Sequence, residues 1–201
     1  LATENPHEAA ALAERLDQLN TERRDIENAV RAAAMEQAEA RGFDAPLVWA
    51  AGEGWHPGVV GIVASRLKEA AGRPAVVIGL HDGEGKGSGR SVSGIDLGVV
   101  IQRAAAEGLL IKGGGHKMAA GLTVAEDKLE PAMQRLSDLL AKQGAGSLGP
   151  ADLKLDGMLM PGAANIDLIE QIEQAGPFGA GAAAPRYGFP DLAIRFAKRI
   201  G

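Results

Sequence analysis

Cysteine is absent from all 201 residues, which excludes disulfides and thiolate metal sites. No apolar run approaches the roughly 20 residues needed to span a bilayer. Nothing near the N-terminus resembles a secretory signal. These absences fit a cytoplasmic protein with no membrane segment. Catalytic signatures are missing too: there is no pair of histidines at metal-ligand spacing, no HExxH, no DxD and no Walker lysine loop. No residue of this chain is therefore assigned a catalytic or metal-binding role. The first residue is Leu1 rather than Met, so functional parts are expected outside it.

What is present is an ordinary globular composition, 46% hydrophobic and 23% charged, long enough for one large or two small domains. A net charge of -5 alone argues against a nucleic-acid binder. Its distribution argues otherwise. Residues 1–44 hold ten acids against five bases, whereas residues 56–117 hold eight Lys/Arg against five Asp/Glu. Positive potential thus gathers in the middle of the chain.

The pattern predicts three parts: residues 1–42, 43–143 and 150–201. In the first, Asn5-Pro6-His7-Glu8 is a helix start, with a capping Asn, Pro at the first helical position and Glu to close the box. Leu12, Leu16, Leu19, Ile26, Val30 and Ala33 follow near-heptad spacing, interrupted by Arg23 and Gln37, and Gly42 terminates. This long helix reads as a connector packing against one neighbour, with half of a coiled coil as the alternative. The middle part reads as α/β. Residues 46–52 and 74–80 are buried strands with a helix at 58–71 between them, and a further strand covers 86–93. A helix capped by Asp96 then runs to Glu107, followed by a strand at 122–124 and an amphipathic helix at 126–142. Residues 143–150 are a linker by composition. Beyond it lie a strand at 152–159, a helix at 166–174 and a strand candidate at 187–200.

The chemistry is concentrated in glycine-rich segments. IKGGGHKMAAG (residues 111–121) places three glycines before His116 and Lys117. Glycine costs more backbone entropy than any other residue, so a triplet needs a reason. The expectation is a turn, with Gly114 and Gly115 offering bare N–H groups as an anion nest and His116 and Lys117 adding donors. In GKGSGRSVSG (residues 85–94), Ser88 and Arg90 face the same way if the segment is extended. An arginine fork beside a hydroxyl suits a phosphate. GWHPGVVGIVASRL (residues 54–67) is a loop entering a helix, whose N-terminus is a further anion site. There His56 is either a cap or a donor at the mouth. Trp55 is a packing residue or a stacking platform for a base. Arg66 is a solvated flank residue, or one held and aimed beside the Val63 and Leu67 stripe.

In this order and spacing, GWHPGVVGIVASRLKE, RPAVVIG, GSGRSVSG and GGGHKMAAGL resemble the DHH-associated domain of the RecJ family of single-strand-specific 5′→3′ DNA exonucleases. LDQLNTERRDIE (residues 16–27) resembles that family's interdomain linker, and DLKLDG (152–157) with GPFGAG (176–181) resembles the entry to its OB-like domain. GAAAP (181–185) departs from the family's usual GNPEP-like turn. The resemblance implies a mixed sheet flanked by helices, preceded by a connector helix and followed by the start of an OB-like β domain. It implies that Arg66, Ser88 and Arg90 receive a 5′-phosphate and that the turn at 114–116 faces a catalytic cleft. It further implies Mn2+ or Mg2+ held by a DHH domain outside this chain, single-stranded DNA as ligand, a role in repair and recombination, and single-strand-binding protein as partner. Three alternatives remain: a DHH-type phosphodiesterase for short oligonucleotides or cyclic dinucleotides, a non-catalytic RNA-binding module of the alanyl-tRNA synthetase type, and a generic anion-binding α/β domain.

Overall fold

The computed structural model describes residues 3–146, 153–179, 182–193, 195, 196 and 198. The chain divides into two units at residue 150. In the first, α1 (Pro6–Arg41) begins as its sequence dictates: Asn5 Oδ1 accepts from His7 N at 3.0 Å and Glu8 N at 3.5 Å. It stops at Gly42, whose φ of 86° suits glycine. Only Val30, Ala34 and Ala38 of α1 are buried, and they pack the C-terminal half against α2 and β1. Small residues at i, i+4 and i+8 line one stripe of a helix. Gln37 breaks the apolar repeat for a reason. Its side chain donates to Ala51 O at 2.8 Å and accepts from Ala51 N at 3.2 Å, covering the open edge of a strand.

The sheet has the order β1-β2-β3-β5-β4. Strand β1 (Val48–Glu53) runs parallel to β2 (Ala75–His81), and α2 (Pro57–Ala71) makes the crossover that a parallel pair requires. Strand β3 (Glu84–Arg90) pairs antiparallel with β2. The tight turn between them holds Asp82 and Gly83 at φ 50° and 77°, the left-handed conformation of two-residue hairpins. After α3 (Leu97–Ala106), the antiparallel strands β4 (Lys112–Gly115) and β5 (Ala119–Ala125) complete the sheet. A 3-10 turn then leads into α4 (Leu129–Ala141).

Apolar cores lie on both faces. Val48, Ala50, Ala75 and Val77 meet α1 and α2 on one side. Val76, Ile78, Leu122 and Val124 meet α3 and α4 on the other. Arg135 of α4 grips Glu107 at the end of α3 with two bonds of 2.7 Å, and Arg103 adds a third contact at 3.2 Å. The Arg135 hydrogen bond, foremost, holds the Glu107 carboxyl down to about 2.

The glycine triplet corrects the sequence reading. Gly113, Gly114 and Gly115 are not a turn but an edge strand, opposite Leu122, Gly121 and Ala120. The turn lies one step later, at residues 116–118, so the triplet's N–H groups are not gathered as a nest. Packing accounts for two of the three glycines. A Cβ on Gly113 would lie 2.5 Å from Ile101, and one on Gly115 would lie 2.5 Å from Ala119 O. Gly114 has open space.

In the second unit, β6 (Gly157–Met158) and β7 (Tyr187–Gly188) pair in parallel, with α5 (Ile166–Gln174) between them in sequence. The helix is as expected, but the two strands are each two residues long, far shorter than residues 152–159 and 187–200. Those expectations, the linker at 143–150 and the loop at 181–185 fall partly outside the described residues.

Candidate nucleic-acid interface

Strand β3 puts its side chains on one face only. Gly85, Gly87 and Gly89 look toward α3 and α4, where a Cβ would come within 2.7–2.9 Å of Ile78 or Leu97 side chains. The larger side chains of the neighbours fill that space. Alternation then sends Lys86, Ser88 and Arg90 to the opposite face. Gly89 thus leaves room on the core side.

Ser88 and Arg90 are brought together as expected. Arg90 Nη1 donates to Ser88 Oγ at 2.8 Å and to Gly89 O at 2.9 Å. Among the described residues, Nε and Nη2 make no hydrogen bond. Behind the pair lies Gly61 of α2, where a Cβ would sit 3.0 Å from Arg90 Nη2 and 3.2 Å from Ser88 Oγ. A glycine inside a helix costs about 1 kcal/mol relative to alanine. Here it lets the helix lie against the pair. Arg66, on the same helix, meets Glu69 at 3.2 Å, both side chains half-exposed. The structure does not join it to Ser88 or Arg90 by a hydrogen bond.

His56 caps α2, its Nδ1 accepting from Gly58 N at 3.0 Å. Trp55 packs: its ring fills the space beside Gly52, and its backbone crosses Gly79 so closely that neither glycine has room for a Cβ. Both line a hollow of about 420 Å³ with His81 and Lys86. His116 and Lys117 are exposed in the β4–β5 turn. That turn is tied down by His116 N to Ala119 O at 2.8 Å and by Leu97 N to Lys117 O at 3.1 Å. Gly98 of α3 lies beneath it, where a Cβ would come within 3.0 Å of the carbonyl oxygens of Gly115 and His116.

Sequence reasoning missed Gly61, Lys86, Lys112, Gly121 and Thr123. The last four line an open hollow of about 600 Å³ over β3, β5 and β4. Lys86 was findable, being two and four residues from Ser88 and Arg90 on an alternating strand. Among the described residues, no three His, Asp or Glu side chains gather where they could hold a metal.

Residues 44–142 match the DHHA1 domain family. This is a DHHA1 chain of the RecJ type. The DHHA1 domain comprises the five-stranded sheet with α2, α3 and α4. The single-stranded-DNA-specific exonuclease RecJ of Escherichia coli strain K12 is 37% identical over 187 residues, covering 89% of this chain and 32% of that protein. RecJ of Bacillus subtilis strain 168 is 38% identical over 141 residues, 69% of this chain and 18% of that protein. A crystal structure of RecJ from Thermus thermophilus in complex with Mg2+ matches with a TM-score of 0.75 at 32% identity, covering 91% of this chain and 28% of that one. The same protein in complex with Mn2+ gives 0.74 at 29%, covering 91% and 26%. This DHHA1 chain spans about a third of the length of the E. coli relative.

Proposed function

We propose that this chain is the DNA-holding part of a RecJ-like 5′→3′ single-stranded DNA exonuclease of DNA repair and recombination in the cytoplasm. In this reading it grips the 5′-phosphate while a DHH domain outside these residues performs hydrolysis with Mn2+ or Mg2+. The three-part division at 1–42, 43–143 and 150–201 belongs to the same reading, as do single-stranded DNA as ligand and single-strand-binding protein as partner. The observation that carries it is the Ser88–Arg90 pair, pre-aligned at 2.8 Å with Nε and Nη2 unbonded among the described residues. The names of the relatives, single-stranded-DNA-specific exonucleases, support the substrate class.

A terminal phosphate monoester carries nearly two charges, against one for an internal diester. An arginine already oriented by Ser88 Oγ and Gly89 O loses little freedom on binding it, and charge-assisted bonds to a phosphate are the strong kind. Arg66 is a third ligand in this proposal. Its exposed pair with Glu69 contributes at most about 1 kcal/mol, so exchanging Glu69 for a phosphate is inexpensive. The Gly114–Gly115 edge and the His116–Lys117 turn border the cleft, with Trp55 and His56 at its far margin.

The test is binding of this chain to 5′-phosphorylated and 5′-hydroxyl oligothymidylate. Arg90→Ala should weaken the phosphorylated ligand by about 1.5–3 kcal/mol, the scale of a hydrogen bond to a charged group. The hydroxyl form should change far less. Equal losses on both would reduce Arg90 to a general backbone contact. This chain alone should also leave labelled single strands intact with Mn2+. Degradation that co-purifies with it and responds to its mutation would refute the assignment of hydrolysis elsewhere.

A further inference from the structure

Beyond Arg90, the same sheet face carries two more cations. Lys86 precedes Ser88 by two residues on β3, about 7 Å along the strand and pointing the same way. It stands opposite Thr123 of β5, which stands opposite Lys112 of β4. The three form a row across the sheet, with the lysine backbones about 10 Å apart, twice the interstrand spacing. The next row is Ser88, Gly121 and Gly114. A Cβ on Gly114 would meet nothing within 4 Å, and one on Gly121 only Gly87 O at 3.9 Å. The floor is therefore bare backbone below the hollow of about 600 Å³. Both lysines are exposed, and among the described residues neither forms an ion pair. Glu84, the one acid of β3, shares that face two residues before Lys86, at the far end of the strand from Arg90.

We propose that Lys86 and Lys112, with the Gly114–Gly121 floor, form a second subsite for an internal phosphodiester of the strand whose 5′ end sits at Ser88 and Arg90. This rests on the preceding reading of Ser88 and Arg90. The chemistry of the two places differs as their ligands do. Arg90 is oriented by two hydrogen bonds and suits a fixed, bidentate contact to a terminal phosphate. The lysines are flexible point charges around an open floor, suited to a backbone that slides after each nucleotide is removed. A side-chain-free floor lets sugar and phosphate approach the sheet closely.

The experiment is fluorescence anisotropy of this chain with 5′-phosphorylated and 5′-hydroxyl oligothymidylate over a range of NaCl concentrations. For single strands the salt slope is about 0.7 per neutralised phosphate. The double variant K86Q/K112Q should lower the slope by about 0.7, one phosphate's worth, and weaken both ligands by the same factor. Its preference for the 5′-phosphate should remain. K86R/K112R, which keeps the charges, should restore the slope. Unchanged slope and affinity in K86Q/K112Q, with R90A still abolishing the 5′ preference, would overturn the subsite and leave the end-capture reading standing. Loss of the 5′ preference in K86Q/K112Q would place the lysines in the end pocket, also overturning it. A wild-type chain with no 5′ preference but a lysine-dependent slope would support the subsite and refute end capture.

Discussion

Gly61→Ala separates stability from binding in a way the structure makes quantitative. The added methyl stands in a helix interior, where alanine is favoured over glycine by about 1 kcal/mol. It would meet Arg90 Nη2 at 3.0 Å and Ser88 Oγ at 3.2 Å, distances that force the neighbours to give by a few tenths of an ångström. Both are side-chain ends, so they yield without disturbing the backbone. Folding should therefore gain close to the full helical increment, raising Tm by about 2–4 °C for a chain of this size. Ligand binding should move the other way. Turning the guanidinium aside breaks its alignment with Ser88 and removes one charge-assisted bond to the phosphate, about 1.5–3 kcal/mol. That is roughly tenfold to a hundredfold in Kd for the 5′-phosphorylated strand. The assay pairs a thermal melt with anisotropy on both 5′ ends. A stabilised variant with undiminished preference for the 5′-phosphate would refute the role given to Ser88 and Arg90. A destabilised variant would show that the helix cannot spare the space.

Gly115→Ala should cost about 1–3 kcal/mol, because φ is 154° and the new atom would strike Ala119 O and Ala120. Gly114→Ala, with open space, should stay within about 0.5 kcal/mol; equal urea midpoints for the two variants would contradict the strand assignment. Gln37→Ala removes two hydrogen bonds to Ala51 and should lower stability by about 1–3 kcal/mol, read from denaturant unfolding. Glu107 is held down to about 2 against an ordinary 4.5. Its contribution is complete above pH 4.5 and fades as pH falls toward 2. Glu107→Gln should therefore be less stable at neutral pH, with a shallower acid limb in a Tm-versus-pH series.

Local signals were the ones legible in sequence. Asn5 and Asp96 cap their helices through their own side chains, a pattern that needs no tertiary partner. Strands β1 and β2 are apolar enough to announce themselves. The nature of β4 was hidden because Lys112–Gly115 has no hydrophobic alternation; β5 and α3 impose its strand character from outside. Gln37 looked like a fault in a heptad because its partner, the edge of β1, is fourteen residues away. Ser88 and Arg90 were readable from alternation alone. Gly61 was not, since its meaning lies in what α2 rests upon. Lys112 joined the interface only through pairing across two strands.

The one-sided strand β3 has a consequence for how this surface can change. Ordinarily, a central strand spends every second side chain on the interior, so altering its recognition face tugs on the packing behind. In β3 the interior positions are hydrogen atoms of glycine, and the volume there belongs to Ile78, Leu97 and Leu122 of other elements. Positions 86, 88 and 90 are thereby insulated from the core under α3 and α4. Ligand preference can be rewritten there, residue by residue, as lettering is changed on a wall that other beams hold up.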